Sequence, residues 1–350
     1  MVYLGLGVVF ALGLIWPKKK VVVVVDALVL GLLIGLRGGN STDYYNYLVE
    51  YNKAQSIPVS MADFPGYNLL MRVSQNLGIN FTQFVFLIAF LSVILMIVGM
   101  SKLNKYVPFA LSLFLIYPFG HEAAQMRTFL ADAIVCVALS FLLARNSKKS
   151  KYNYLIFFIF TFFAAEIHTL AWFYFFAGLI YILLRNRKHN TFIMFLSVVV
   201  LLVLIRGGIL NPIIQSQLAT DKLDHWLNNY TGLGVVLYIA ITLLIYGMIQ
   251  LILKQLEYID GNQVKIGIYE NIRIFSNSIL LVIPFLTNDI TYNRLWRIFL
   301  IILYLYSGEF LYSKKIKKYK IIILICLVTL LTSIYIMENE LTITKSILMR

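Results

Sequence analysis

Five short polar runs interrupt a chain that is otherwise strongly apolar, and their residue types suit acid–base chemistry and anion binding. The densest is His121-Glu122-Ala123-Ala124-Gln125-Met126-Arg127-Thr128-Phe129-Leu130-Ala131-Asp132. On a continuous helix His121, Gln125, Thr128 and Asp132 share one stripe. Arg127 takes another face, where Ala123, Ala124 and Ala131 leave room for a ligand beside the guanidinium. An arginine or aspartate in an apolar span costs roughly 2.5–3.5 kcal/mol to insert, so each needs a partner or a wet cavity. An internal salt bridge is the plain alternative to a binding site. Glu166-Ile167-His168-Thr169 lies between two apolar, aromatic runs. His168 there is either a satisfied packing residue or an acid–base group helped by Glu166, although residues two apart do not share a helix face. In Asn288-Asp289-Ile290-Thr291-Tyr292-Asn293-Arg294-Leu295-Trp296-Arg297, helical spacing aligns Asp289, Asn293 and Arg297, with Arg294 beside them. Two such arginines can snorkel to lipid phosphate or form a specific anion site. Arg37-Gly38-Gly39-Asn40-Ser41-Thr42-Asp43 reads as a glycine helix stop followed by an N-capped helix, a role compatible with function. Asp221-Lys222-Leu223-Asp224-His225-Trp226 reads as a solvated amphipathic segment.

Together these runs supply arginines, histidines and carboxylates. Arginine suits phosphate because its planar fork donates paired hydrogen bonds. There is no Walker loop, metalloprotease helix or serine-nucleophile elbow. No close aspartate pair offers a metal–phosphate bridge, so the expected site works without a metal or other cofactor.

The elements that must position these residues follow from hydropathy. Of 350 residues 60% are hydrophobic and 13% charged, where a soluble domain carries about 25% charged residues. The mean hydropathy is +0.82, and no polar stretch is long enough to fold separately. The expectation is an all-α polytopic membrane protein, a single transmembrane domain over 1–350. Apolar runs long enough for spanning helices fall at 1–16, 21–37, 81–100, 106–120, 123–143, 152–166, 168–184, 191–206, 233–253, 272–287, 293–312 and 320–337, about twelve spans. The pair from Tyr152 to Leu184 also reads as one bent helix or a re-entrant hairpin. The first run lacks a basic start and a small-residue cleavage site, so it reads as a retained helix.

A net charge of +14 raises the question of nucleic acid, but the charges sit in short clusters between apolar runs. Lys18–Lys20, Lys102 with Lys105, Arg145 to Lys151, Arg185 to Lys188, Lys254 with Lys265, and Lys314 to Lys320 fall in every second loop. Facing the cytoplasm, these loops hold about two thirds of the 30 Lys and Arg, as anionic lipid and the positive-inside rule require. Both termini then face outward, together with all five polar runs. The long loops 38–80 and 207–232 are outer loops. In the first, Tyr44, Tyr47, Leu48 and Tyr51 line one helical face, and Tyr67, Leu70, Ser74 and Leu77 a second, so two interfacial amphipathic helices are expected. Cys136 and Cys326 lie inside apolar runs and indicate no disulfide framework.

Taken in order, several of these pieces resemble the EpsG-type family of Wzy-like bacterial polysaccharide polymerases. They are the Arg-Gly start at Arg37 with Asp43 and the following tyrosines, Pro65-Gly66-Tyr67, and Arg127 with Leu130 and Ala131. They continue with His168-Thr169-Leu170 and the span that opens Asn293-Arg294-x-x-Arg297. The pieces cover most of the chain. Thr128 departs from the pattern, since relatives often carry Gln after the arginine.

The resemblance implies a GT-C-like glycosyltransferase of the bacterial cytoplasmic membrane, joining repeat units carried on undecaprenyl pyrophosphate at the outer face. Its partners would be the polyprenyl-pyrophosphate-linked oligosaccharide, membrane lipid and a chain-length regulator protein, with no nucleic acid. Arg127 with Arg294 or Arg297 would hold the pyrophosphate and stabilise its departing charge. His168 or Asp43 would accept the acceptor-hydroxyl proton, with Glu166 and His121 orienting these groups. Arg37, Tyr44, Tyr47, Gln125, Asp289 and Asn293 would meet the sugar or lipid. An O-antigen ligase shares the donor and differs in acceptor. A membrane acyltransferase needs a buried cytosolic or central His. A lipid-linked oligosaccharide flippase would show two related halves and midplane charges.

Overall fold

The computed structural model describes residues 2–37, 42–143, 150–187, 190–207, 232–315 and 319–348. Gly38 to Ser41, and the run from Asp221 to Trp226 in the second long loop, lie outside the described residues. Helices and turns make up the described chain, with no strand among the described residues. The helices are α1 (Val2–Ile15), α2 (Lys20–Gly35), α3 (Thr42–Lys53), α4 (Pro65–Asn76), α5 (Phe81–Leu103), α6 (Val107–Ile116), α7 (Phe119–Ala124), α8 (Met126–Leu142) and α9 (Ser150–Ile167). They continue as α10 (Ala171–Leu184), α11 (Asn190–Arg206), α12 (Gly232–Ile259), α13 (Gln263–Ser276), α14 (Val282–Leu286), α15 (Trp296–Tyr312), α16 (Lys320–Met337) and α17 (Glu340–Leu348).

Helical structure falls on each of the twelve apolar runs. Among the described residues five stretches are long and apolar enough to cross a membrane: Phe81–Leu103, Leu233–Ile259, Gln263–Leu286, Ile290–Tyr312 and Lys320–Met337. Leu4–Ile15, Val107–Ile116, Ala171–Leu184 and Asn190–Arg206 are shorter apolar helices. The chain is an integral membrane protein built of helices, the secondary structure that satisfies every backbone group within one segment in lipid.

Two compact units divide the chain, Met1–Phe175 with Tyr304–Arg350, and Phe176–Leu303. In the first, α5 is central and packs on α2 and α8, while α8 packs on α9. An Asn80–Gln83 capping box starts α5: the Asn80 side chain accepts from the Gln83 N–H at 3.0 Å, and the Gln83 side chain accepts from the Asn80 N–H at 2.9 Å. Gly99 lets α5 and α8 touch backbone to backbone, since a Cβ there would stand 2.6 Å from the carbonyl carbon of Cys136. Two long-range hydrogen bonds tie these helices to the C-terminal part of the unit: Tyr304 Oη donates to the Tyr117 carbonyl at 3.0 Å, and Asn104 Nδ2 donates to Glu309 at 2.7 Å.

In the second unit α12 packs on α13. Gln250 Nε2 donates to the Arg273 carbonyl at 3.0 Å and to Asn277 Oδ1 at 3.1 Å, and Arg273 pairs with Glu257 at 2.9 Å. Trp296 Nε1 donates to Thr242 Oγ1 at 3.0 Å. The run 272–287 falls on the helical stretch Gln263–Leu286, which passes from α13 through a 3-10 segment at Asn277–Leu281 into α14.

Three periodic readings change in the folded chain. The helix through His121 and Asp132 breaks at Gln125, so α7 and α8 are separate and the His121–Gln125–Thr128–Asp132 stripe does not form. The break frees α7 to meet α17 while α8 stays on α5. The alignment of Asp289, Asn293 and Arg297 is also lost, because Ile290–Leu295 winds as a 3-10 helix with three residues per turn. Asp289 acts there as a cap, accepting from the Thr291 N–H at 2.8 Å. Finally, α4 ends at Asn76, so Leu77 leaves the Tyr67 face and is exposed.

Candidate active site

Four elements of the first unit meet around Arg127: α3, the segment entering α4, the first turn of α8, and α9 near its C-terminal end. Each is placed by a local sequence feature. On α3 the tyrosine periodicity buries Tyr47 and Tyr51, and the Tyr51 ring packs 5.2 Å from Phe84 and 5.6 Å from Phe81 of α5. Tyr44 meets Phe81 edge-on at 5.0 Å. Gln75 Nε2 donates to the Tyr51 carbonyl at 2.6 Å, tying α4 to α3. Pro65 opens α4 at its first turn, where the missing N–H costs nothing. Gly66 follows because α4 crosses the end of α9 closely: a Cβ at Gly66 would stand 2.9 Å from the Glu166 Cβ and 3.1 Å from its carbonyl carbon and oxygen.

Arg127 sits in the collar that results. Its guanidinium carbon lies 4.0 Å from the Phe64 ring centroid, 5.0 Å from Tyr47 and 5.9 Å from Tyr67. Nη1 donates to Glu50 Oε2 at 2.9 Å, while Nε is buried with no hydrogen-bond partner among the described residues. The Arg127 side chain is 16% exposed and that of Glu50 39%. The Phe64 ring also lies 5.5 Å from His168, so one aromatic side chain touches the arginine and the imidazole.

His168 occupies the break between α9 and α10, which resolves the stretch Tyr152 to Leu184 into two helices. Its Nδ1 accepts from the Leu170 N–H at 3.3 Å. In the neutral ring the proton then sits on Nε2, which suits His168 as a donor. Tyr47 and Tyr67 are buried. Burial pushes both phenols above the ordinary tyrosine value, although Arg127 and Arg37 pull them down. Both therefore remain protonated donors near neutral pH.

Arg37, just past α2, is 7% exposed, and none of its three guanidinium nitrogens has a hydrogen-bond partner among the described residues. It lies 6.0 Å from the Tyr44 ring. Asp43, in the first turn of α3, contributes to its field, and Arg37 and Arg127 both act on Tyr47 and Tyr67. The first unit thus holds two guanidinium groups about one tyrosine pair.

The remaining candidates have other surroundings within their own units. His121 Nδ1 meets Glu340 of α17, which also accepts from the Gly120 N–H, and Nε2 lies 3.5 Å from Glu338. This histidine anchors the C-terminal helix. Gln125 marks the α7–α8 break. Glu166 contributes its backbone and Cβ to the Gly66 crossing. Asp289, Asn293, Arg294 and Arg297 belong to the second unit, with Asp289, Asn293 and Arg297 buried. Burial of Arg297 removes the reading in which it snorkels to lipid. Glu50, Phe64 and Tyr67 were not singled out as site residues from sequence. Glu50 sits one turn after Tyr47, a visible cue, whereas Phe64 belongs to no periodic pattern. Among the described residues no group of three or more His, Cys, Asp or Glu is placed to hold a metal ion.

Chemically the collar has the groups that could hold an anion: a cation desolvated by aromatic rings, one carboxylate on it, and neutral donors around it. Neither the curated proteins nor the solved structures hold a match to the chain. The sequence model described as the EpsG family matches residues 20–342, a stretch that contains every element of the collar. The chain therefore belongs to the EpsG family, a family of membrane proteins associated with polysaccharide polymerisation.

Proposed function

We propose that this protein joins polyprenyl-pyrophosphate-linked repeat units at the outer face of the bacterial cytoplasmic membrane, transferring the growing chain from its carrier to the acceptor unit. The observation that carries this reading is Arg127, a guanidinium enclosed by Phe64, Tyr47 and Tyr67, with Nε lacking a hydrogen-bond partner among the described residues. In a desolvated site its charge is worth far more to a departing diphosphate than it would be in water. Arg37 adds a second cation, the protonated Tyr47 and Tyr67 add donors for phosphate or sugar oxygens, and His168 adds an imidazole. A largely apolar cavity of about 560 Å³ is lined by Gly35, Leu36, Ile79, Phe86 and Leu87 among others, the first two shortly before Arg37 in the chain. A polyprenyl tail would run there.

In this reading the fold is GT-C-like with about twelve spans, the termini and the Arg127 collar face outward, and no metal takes part. A chain-length regulator would be the protein partner. The test is reconstitution of the purified chain in liposomes with a defined lipid-linked repeat unit. The wild type is expected to give a product ladder, and Arg127→Ala to lower its rate by about 100-fold or more, the scale of losing one transition-state donor. An Arg127→Ala protein polymerising at the wild-type rate ends the leaving-group assignment.

A further inference from the structure

We propose that Glu50 is the proton acceptor of the transfer, held on Arg127 until the diphosphate displaces it. This rests on the reading of Arg127 as the diphosphate clamp. Four observations support it. Glu50 Oε2 occupies Arg127 Nη1 at 2.9 Å, which is where a phosphate oxygen would bind. Its side chain is 39% exposed, so the carboxylate is open to solvent on one side. The Nδ1 lone pair of His168 already accepts from the Leu170 N–H. Asp43, the other carboxylate expected as a base, acts on Arg37 and on Tyr47, whereas Glu50 is the carboxylate paired with Arg127.

The exchange has a chemical consequence. While paired with Arg127, the carboxylate is a weak base, because the cation favours its charged form. A diphosphate carries more charge and takes over the guanidinium. Glu50 then loses its cation and gains an anionic neighbour, and both changes raise its proton affinity. The acceptor hydroxyl oxygen forms its bond to the anomeric carbon, and its proton passes to the Glu50 carboxylate. The bond from that carbon to the bridging phosphate oxygen breaks, and its electron pair leaves with the carrier diphosphate on Arg127. The protonated Glu50 returns the proton to water or to the departing diphosphate, then pairs with Arg127 again.

The experiment uses the full-length protein in nanodiscs, with inorganic pyrophosphate as binding probe and the liposome ladder assay for turnover. Glu50→Gln keeps the side-chain shape and removes the charge. It is expected to bind pyrophosphate roughly threefold more tightly, since a competing, partly exposed ion pair is gone. Its turnover is expected to fall about 100-fold, the size of a lost general base. Glu50→Asp, which retains a carboxylate, is expected to exceed Glu50→Gln in turnover. Wild-type turnover in Glu50→Gln overturns the proton-acceptor role. Unchanged or weakened pyrophosphate binding in Glu50→Gln, with Arg127→Ala still abolishing binding, overturns the exchange and leaves the clamp standing. Wild-type pyrophosphate binding in Arg127→Ala removes the clamp itself.

Discussion

Phe64 is the residue on which the geometry of the collar turns, because its ring touches both Arg127 and His168. A cation over an aromatic face gains about 0.5–2 kcal/mol, the upper figure when desolvated. Losing that contact lets the guanidinium swing and costs orientation as well as energy. Phe64→Leu is therefore expected to lower turnover roughly tenfold. Phe64→Trp, which restores an aromatic face, should keep most of the activity. Ladder formation in liposomes measures both, and a Leu variant at the wild-type rate would show that the ring only fills space. Nothing in the sequence marks Phe64 as more than the residue before a proline. Its importance arises from atoms far along the chain. Arg127, by contrast, was visible at once as a charge inside an apolar run.

At the scale of elements, the site depends on how closely α4 approaches the end of α9. Gly66 permits that approach, and an added Cβ would meet Glu166 at 2.9 Å. Overpacking of this kind costs about 1–3 kcal/mol and moves backbone. The helix that shifts follows directly on Phe64 and carries Tyr67. Gly66→Ala is thus expected to lower Tm by a few degrees and turnover several-fold, read by thermal unfolding in nanodiscs and by the ladder assay. An Ala variant unchanged in both would place the slack elsewhere. Periodicity made α3 and the start of α4 legible, and the break at His168 falls between the two apolar runs 152–166 and 168–184. The break at Gln125 was not legible. It accompanies the contact of His121 with Glu340, a residue 219 positions further on. The 3-10 segment Ile290–Leu295 was hidden for a related reason, since helical spacing in a sequence does not say which helical pitch the chain will adopt.

For the molecule as a whole, orientation in the membrane is the property that links charge pattern to function. If the basic loops face the cytoplasm, the collar faces outward. Tyr45 is exposed on α3, and Lys254 is exposed near the basic end of α12. With Cys136 and Cys326 replaced by Ser, Tyr45→Cys should react with a membrane-impermeant thiol reagent in intact cells. Lys254→Cys should react only after permeabilisation. The opposite pattern would turn the protein over and put the collar on the wrong side for an exported glycan. Hydropathy alone located the apolar helices, because a bilayer leaves the backbone no partner but itself and so ties each span to a run of local sequence. Which side chains face one another is not a local property. Arg127 and Glu50 are 77 positions apart, and they meet because α3, α4, α8 and α9 pack together. Short-range spacing could single out charged residues, whereas packing between distant segments chose their partners and, with them, the chemistry open to each.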